Sequence, residues 1–141
     1  MKRVYISHAL WGKEEFPEWN KPEVNFERYL RFVALAMAGG YNVVSWSHHY
    51  LLELRNLTPT GLDWSGLYLT RDVELLRMAD ELWLCCPLSV SNGAKVEYDA
   101  AIRFGIPVFS KEDWMDSTYM PKVEPIEFMS EIGPYSPLSQ L

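Results

Sequence analysis

Glu81-Leu-Trp-Leu-Cys-Cys86, then Ser91-Asn-Gly-Ala-Lys-Val-Glu97, then Gly105-Ile-Pro-Val-Phe109 decide how this chain folds. Residues 81–86 are nearly continuous in apolar character, as expected of a central parallel strand covered on both faces. The loop from Pro87 to Ser91 follows. Ser91 or Asn92 carries the short side-chain oxygen that caps a helix, which predicts a helix over about 92–104. Gly105 stops that helix, and Ile106 to Phe109 begin a further strand. Strand, helix and strand in about 30 residues make the repeating unit of a parallel α/β sheet.

The same alternation extends outward. Residues 2–7 are β-branched and aromatic and read as strand one, ending near His8. A polar, Trp-containing loop runs from Ala9 to Pro22. Residues 23–38 show Phe26, Leu30, Val33 and Met37 at helical spacing, with Glu27, Arg28 and Arg31 off that stripe. Gly39-Gly40 stops the helix. Residues 41–46 read as strand two, and Tyr50 to Leu57 as a short helix before a Thr-Pro-Thr-Gly turn. A second helix is predicted over 65–80, with Leu69, Val73, Leu76 and Ala79 buried. The proline-rich tail, 121–141, is expected to add a fifth strand or short helix, its end lying along the surface or against a partner. The order implies right-handed crossovers. The expectation is one domain, 1–141, with its core in about 2–110. Its fold is α/β, Rossmann-like (flavodoxin-like): a parallel sheet of four or five strands in order 2-1-3-4-5, with helices on both faces.

Composition narrows the function classes. A chain of 141 residues allows one domain, and 48% hydrophobic with 23% charged residues is ordinary globular composition. Nineteen acidic against 13 basic residues, a net charge of −6, argue against a nucleic-acid footprint. The amino-terminal apolar run is broken by Ser7 and His8, unlike a signal peptide, and no run approaches the ~18 apolar residues of a membrane span. Cys85 and Cys86 are strand neighbours pointing to opposite faces, badly placed to pair. Reduced packing cysteines in a cytoplasmic protein are expected.

In a parallel sheet, ligands bind beyond the carboxyl ends of the strands, near the switch in strand order. That edge holds Ser7 and His8 after strand one, Trp46 to His49 after strand two, and the 87–93 loop after strand three. Gly93 allows close backbone approach, and the free amides at the helix start suit an anion such as phosphate. Ser89, Ser91 and Asn92 add polar groups there. Glu97 shares a helix side with the small Ala94 and Ala101. By residue type alone, Glu97 is a solvated helix glutamate, Ser91 a plain cap, Gly93 a plain turn and Asp72 one more polar helix residue. Trp11 and Trp46 suit core packing or stacking on a base. Adjacent His48 and His49 face apart without partners at ligand spacing, so no metal and no cofactor are expected.

Taken together, these motifs resemble the nucleoside 2-deoxyribosyltransferase superfamily, and most closely its branch of 2′-deoxynucleoside 5′-monophosphate N-glycosidases. Val-Tyr-Ile-Ser (4–7) resembles the family's opening strand, whose tyrosine lies beside the catalytic carboxylate. Asp72, with Asp80 before strand three, resembles its helical aspartate and the Ala-Asp that follows. Ser91 to Glu97 resembles the loop and helix that deliver its nucleophilic glutamate, and Gly105-Ile-Pro-Val the next strand entry. The likeness covers roughly residues 3–109. It implies Glu97, Asp72 and Tyr5 as the catalytic group, with Ser7, His8, Ser89, Ser91, Asn92 and Gly93 contacting substrate or its phosphate. The nucleoside transferases have an aspartate six residues before the nucleophile; here, as in the monophosphate hydrolases, the position is a serine, Ser91. A hydroxyl beside helix amides tolerates a dianion that a carboxylate would repel. Transfer between free nucleosides and non-catalytic nucleotide binding are the competing readings. The resemblance further implies a homodimer or larger assembly, toward which Trp114, Met115, Tyr119 and Met120 supply an apolar surface.

Overall fold

The computed structural model describes residues 1–45, 64–123 and 129–141. In chain order the elements are β1 (Arg3–Ser7), α1 (Pro22–Ala38), β2 (Asn42–Val43), α2 (Trp64–Leu76), β3 (Glu81–Leu84), α3 (Asn92–Phe104), β4 (Val108–Ser110) and β5 (Ser130–Ile132). Short 3-10 turns cover Leu88–Val90, Glu112–Met115 and Pro137–Gln140. The sheet order is β2-β1-β3-β4-β5, as the alternation predicts. β1 pairs in parallel with β2 on one side and with β3 on the other, and β3 with β4. β5 departs from the all-parallel expectation. It runs antiparallel along β4, with Val108 opposite Ile132, so the tail closes one edge of the sheet.

Period-two alternation sends the strand side chains into two cores. Val4, Ile6, Trp83 and Cys85 face α1, meeting Tyr29, Phe32, Leu35 and Ala36. Tyr5, Leu82, Leu84 and Cys86 face α2 and α3, meeting Leu76, Ala94, Ala100 and Ala101. The adjacent cysteines thus fall on opposite faces, both buried and unbonded to each other.

The buried face of α1 is not the expected stripe. Leu30 and Met37 are exposed, at 45% and 64%, while Asn25, Arg28, Tyr29, Phe32, Leu35 and Ala36 are buried. Two polar residues take core places because each finds a partner. Asn25 Nδ2 donates to the carbonyls of Leu10 (2.8 Å) and Trp19 (2.7 Å), tying the 9–20 loop to the helix. Arg28 donates to the Trp114 carbonyl (3.1 Å), with its guanidinium 4.7 Å from the Trp19 ring centre. Burial draws the Arg28 pKa below its ordinary value.

Several boundaries shift. β2 is two residues long, α2 ends at Leu76, and β4 begins at Val108, after Pro107, which lacks the N–H a strand interior needs. The expected helix at 50–57, Trp46, His48 and His49 lie outside the described residues. Among the described residues no helix is long and apolar enough to cross a membrane. Of the expected apolar surface, Trp114 lies in the core, while Met115, Tyr119 and Met120 are half-buried. Trp114 is 1% exposed and packs edge-on against Phe32, ring centres 4.9 Å apart, with Trp83 at 5.7 Å.

Core placement of Trp114 has a measurable outcome. Trp114→Ala is expected to cost about 3–5 kcal/mol in chemical denaturation. A surface residue would cost within about 0.5 kcal/mol.

Candidate active site

β1 enters and leaves the middle of the sheet with neighbours that diverge. The chain goes to β2 on one side and later returns to β3 on the other, which opens a crevice at their carboxyl ends. Because β1 alternates, Tyr5 and Ser7 point toward α3, where Glu97 stands a turn and a half from the helix start. The Tyr5 hydroxyl donates to Glu97 Oε2, and Ser7 Oγ donates to Oε1 at 2.9 Å. Both carboxylate oxygens are therefore held by one strand. Glu97 is 7% exposed.

Asp72 reaches the same point from α2. It is half-buried, forms an ion pair with Arg71 (3.7 Å), and interacts with the Tyr5 hydroxyl. Burial, and then the charge of Asp72, push the Glu97 pKa up to about 8, against the hydrogen bonds from Tyr5 and Ser7. Burial pushes Asp72 up to about 6, opposed by Arg71 and Tyr5. The Tyr5 phenol is pushed well above its ordinary range by burial and by the two carboxylates. Burial thus raises both carboxyls toward neutrality, Glu97 above Asp72.

Glu97 and Asp72 line a cleft of ≈250 Å³. One wall is the loop after β1, with His8, Leu10, Trp11, Gly12 and Lys13. Gly12 has φ +68, and a Cβ there would sit 2.4 Å from the Trp19 carbonyl oxygen, so the loop closes this tightly only on glycine. The opposite wall is Tyr68, Leu69 and Asp72 of α2, and the floor is Ser91, Asn92, Gly93 and Glu97. Ser91 caps α3, its Oγ accepting from the Ala94 amide at 3.2 Å.

Of the residues expected at the site, Glu97, Asp72, Tyr5, His8, Ser91, Asn92 and Gly93 come together. His8 is buried, with Nδ1–H donating to the Ala9 carbonyl (2.7 Å). Ser7 is committed to Glu97 and acts on the carboxylate. Ser89 does not line the cleft: it is exposed in the 3-10 turn and donates to the Leu141 carbonyl (2.5 Å). Lys13, Leu10, Tyr68 and Leu69 were missed. The signal for Lys13 was its place in the loop after strand one, beside a glycine. Lys95 and Arg71, the basic residues of the motif itself, are paired with Asp99 (3.0 Å) and Asp72.

The raised pKa of Glu97 has a signed consequence for stability. Below the unfolded-state value the carboxyl is protonated in both states. Between that value and about 8 the unfolded chain has given up the proton that the folded state keeps, so stability falls as pH rises across this range and levels off above about 8. Glu97→Gln is therefore expected to unfold at higher temperature than wild type. Its advantage should grow from pH 5 to pH 9 to about 1–3 kcal/mol. Melting curves of both proteins across this range test it; parallel curves would contradict the buried carboxyl. No protein-family model, curated protein or solved structure matches this chain.

Proposed function

We propose that this chain cleaves the N-glycosidic bond of (deoxy)nucleoside 5′-monophosphates, releasing free base and sugar phosphate, as a member of the nucleoside 2-deoxyribosyltransferase superfamily. One observation carries the reading. A buried carboxylate, Glu97, is gripped by Tyr5 and Ser7 in a cleft beside a second carboxyl, Asp72.

Breaking the C1′–N bond builds positive charge on the sugar and negative charge on the base. Glu97 answers the first by attacking C1′, and Asp72 answers the second by giving its proton to the departing nitrogen. This is the two-carboxyl logic of retaining glycoside hydrolysis with a nitrogen leaving group. Water then attacks C1′, the ester bond to Glu97 breaks, and Asp72 takes the water's proton. The roles use the ionised form of Glu97, which the hydrogen bonds from Tyr5 and Ser7 favour against burial, and a proton on Asp72, which burial favours against Arg71 and Tyr5.

The test is incubation with deoxynucleoside monophosphates and chromatography of the released base. Glu97→Gln should lose more than about 10³-fold in kcat with ligand binding retained, and Asp72→Asn about 10²–10⁴-fold. The wild-type profile should be bell-shaped, rising through about 6 and falling through about 8, because turnover needs one proton on the pair. Binding without base release would favour a non-catalytic nucleotide-binding module. Preference for free nucleosides would favour transfer between bases.

The phosphate preference rests on Ser91, the first amides of α3 and Lys13 at the cleft wall. Ser91→Asp keeps a capping oxygen but adds a negative charge. Repulsion at an effective dielectric near ~20 should lower kcat/KM on monophosphates about 10–100-fold more than on nucleosides. Lys13→Met should act in the same direction. Equal losses on both substrates would remove the phosphate from the reading. The family reading also carries a cytoplasmic setting and a homodimer or larger assembly, and a monomeric mass in light scattering would count against the latter.

A further inference from the structure

Ser89 has a place that the cleft does not explain. The 3-10 turn Leu88–Val90 runs directly into Ser91, and it is gripped from two sides. On one side the Lys13 amide donates to the Val90 carbonyl (2.9 Å), joining it to the loop after β1. On the other lies the 3-10 turn Pro137–Gln140. There Ser89 Oγ donates to the Leu141 carbonyl, and Leu138 packs against the core that contains Leu88 and Val90.

The 137–140 turn is itself well fixed. Ser136 Oγ accepts from the Leu138 amide (3.3 Å). The buried Ser139 hydroxyl reaches the carbonyls of Ser136 (2.7 Å) and Pro134 (3.2 Å). Upstream, β5 anchors the segment to β4 through the buried Ile132. Segment 130–141 therefore runs from the sheet edge to the loop that starts α3 and is tied at both ends.

We propose that Ser89 is a positioning residue, latching the C-terminal turn onto the 88–90 turn and so fixing the ligand-facing start of α3. The proposal rests on the reading of that start as the phosphate-binding part of the cleft. Ser91 takes the first helix bonds, from the Ala94 amide through Oγ and from the Lys95 amide (3.1 Å) through its carbonyl. An anion at a helix start is held by amides that converge, and convergence is lost when the turn before them shifts. Ser89 acts on the ligand only through this geometry.

The test uses the whole chain with Ser89→Ala, Ser89→Thr and Leu138→Ala, and two readouts. Amide hydrogen exchange at Ala94 and Lys95 should quicken about three- to tenfold in Ser89→Ala and Leu138→Ala, and stay at the wild-type rate in Ser89→Thr, which keeps the hydroxyl. KM for a deoxynucleoside monophosphate should rise by a similar factor with kcat within about twofold, and KM for the unphosphorylated nucleoside should not move. Unchanged exchange in Ser89→Ala overturns the latch, whatever the activity. A wild type that releases no base overturns the function above, while the exchange readout still decides the latch. Faster exchange with an unmoved monophosphate KM would make Ser89 a structural tie only and overturn its positioning role.

Discussion

A carboxylate removed from water is the constraint around which this structure is arranged. Burying an ionised carboxyl costs several kcal/mol unless its oxygens are hydrogen-bonded. Here both Glu97 oxygens are met, by Tyr5 and Ser7, from a single five-residue strand. The arrangement holds only while β1 and α3 keep their separation and register. β1 is fixed by parallel pairing on both edges, and α3 by the Ser91 cap at one end and the left-handed Gly105 at the other. The second carboxyl, Asp72, sharpens the conflict, since each negative charge disfavours the other. Protonation of either carboxyl relieves that conflict, and burial favours it in both.

The alternation of β1 divides labour between the two faces. Val4 and Ile6 build the core with α1, while Tyr5 and Ser7 serve the carboxylate. A slip of one residue would exchange the two sets and leave Glu97 facing aliphatic side chains. Register is protected by the large ring of Trp83 on the α1 side, packed with Trp114 and Tyr41. The apolar cluster on one face therefore secures the hydrogen bonds on the other.

Much of this was legible in the residues, and the failures have physical reasons. β3, α3 and their order were readable because an unbroken apolar run, a capping serine and a closing glycine each have a strong local meaning. The convergence of Tyr5, Asp72 and Glu97 followed from resemblance. Periodicity would have left Glu97 in solvent, since a buried acid is rare until its partners are seen. The stripe on α1 misled because Arg28 was set off it and Asn25 was not weighed. Their burial depends on carbonyls of Leu10, Trp19 and Trp114, contributed by distant loops. Ser89 and Ser91 are alike in type and two residues apart. Only the path of the tail separates a serine that faces the cleft from one that faces Leu141. The antiparallel β5 was equally hidden, being three residues long and defined by its partner.

The alanines on α3 have a consequence of their own. Ala94, Ala100 and Ala101 are at most 1% exposed and carry the helix close against the sheet. They act as a spacer of fixed thickness, and the glutamate between them reaches the strand from that height. One added methylene would lift the helix by a fraction of an ångström, an ordinary strain for a core. The same lift would stretch two hydrogen bonds that allow little slack, loosening the carboxylate well before the fold felt the change. Tolerance at these positions is therefore set by the reach of a neighbouring side chain, and the alanines of the helix govern its buried glutamate.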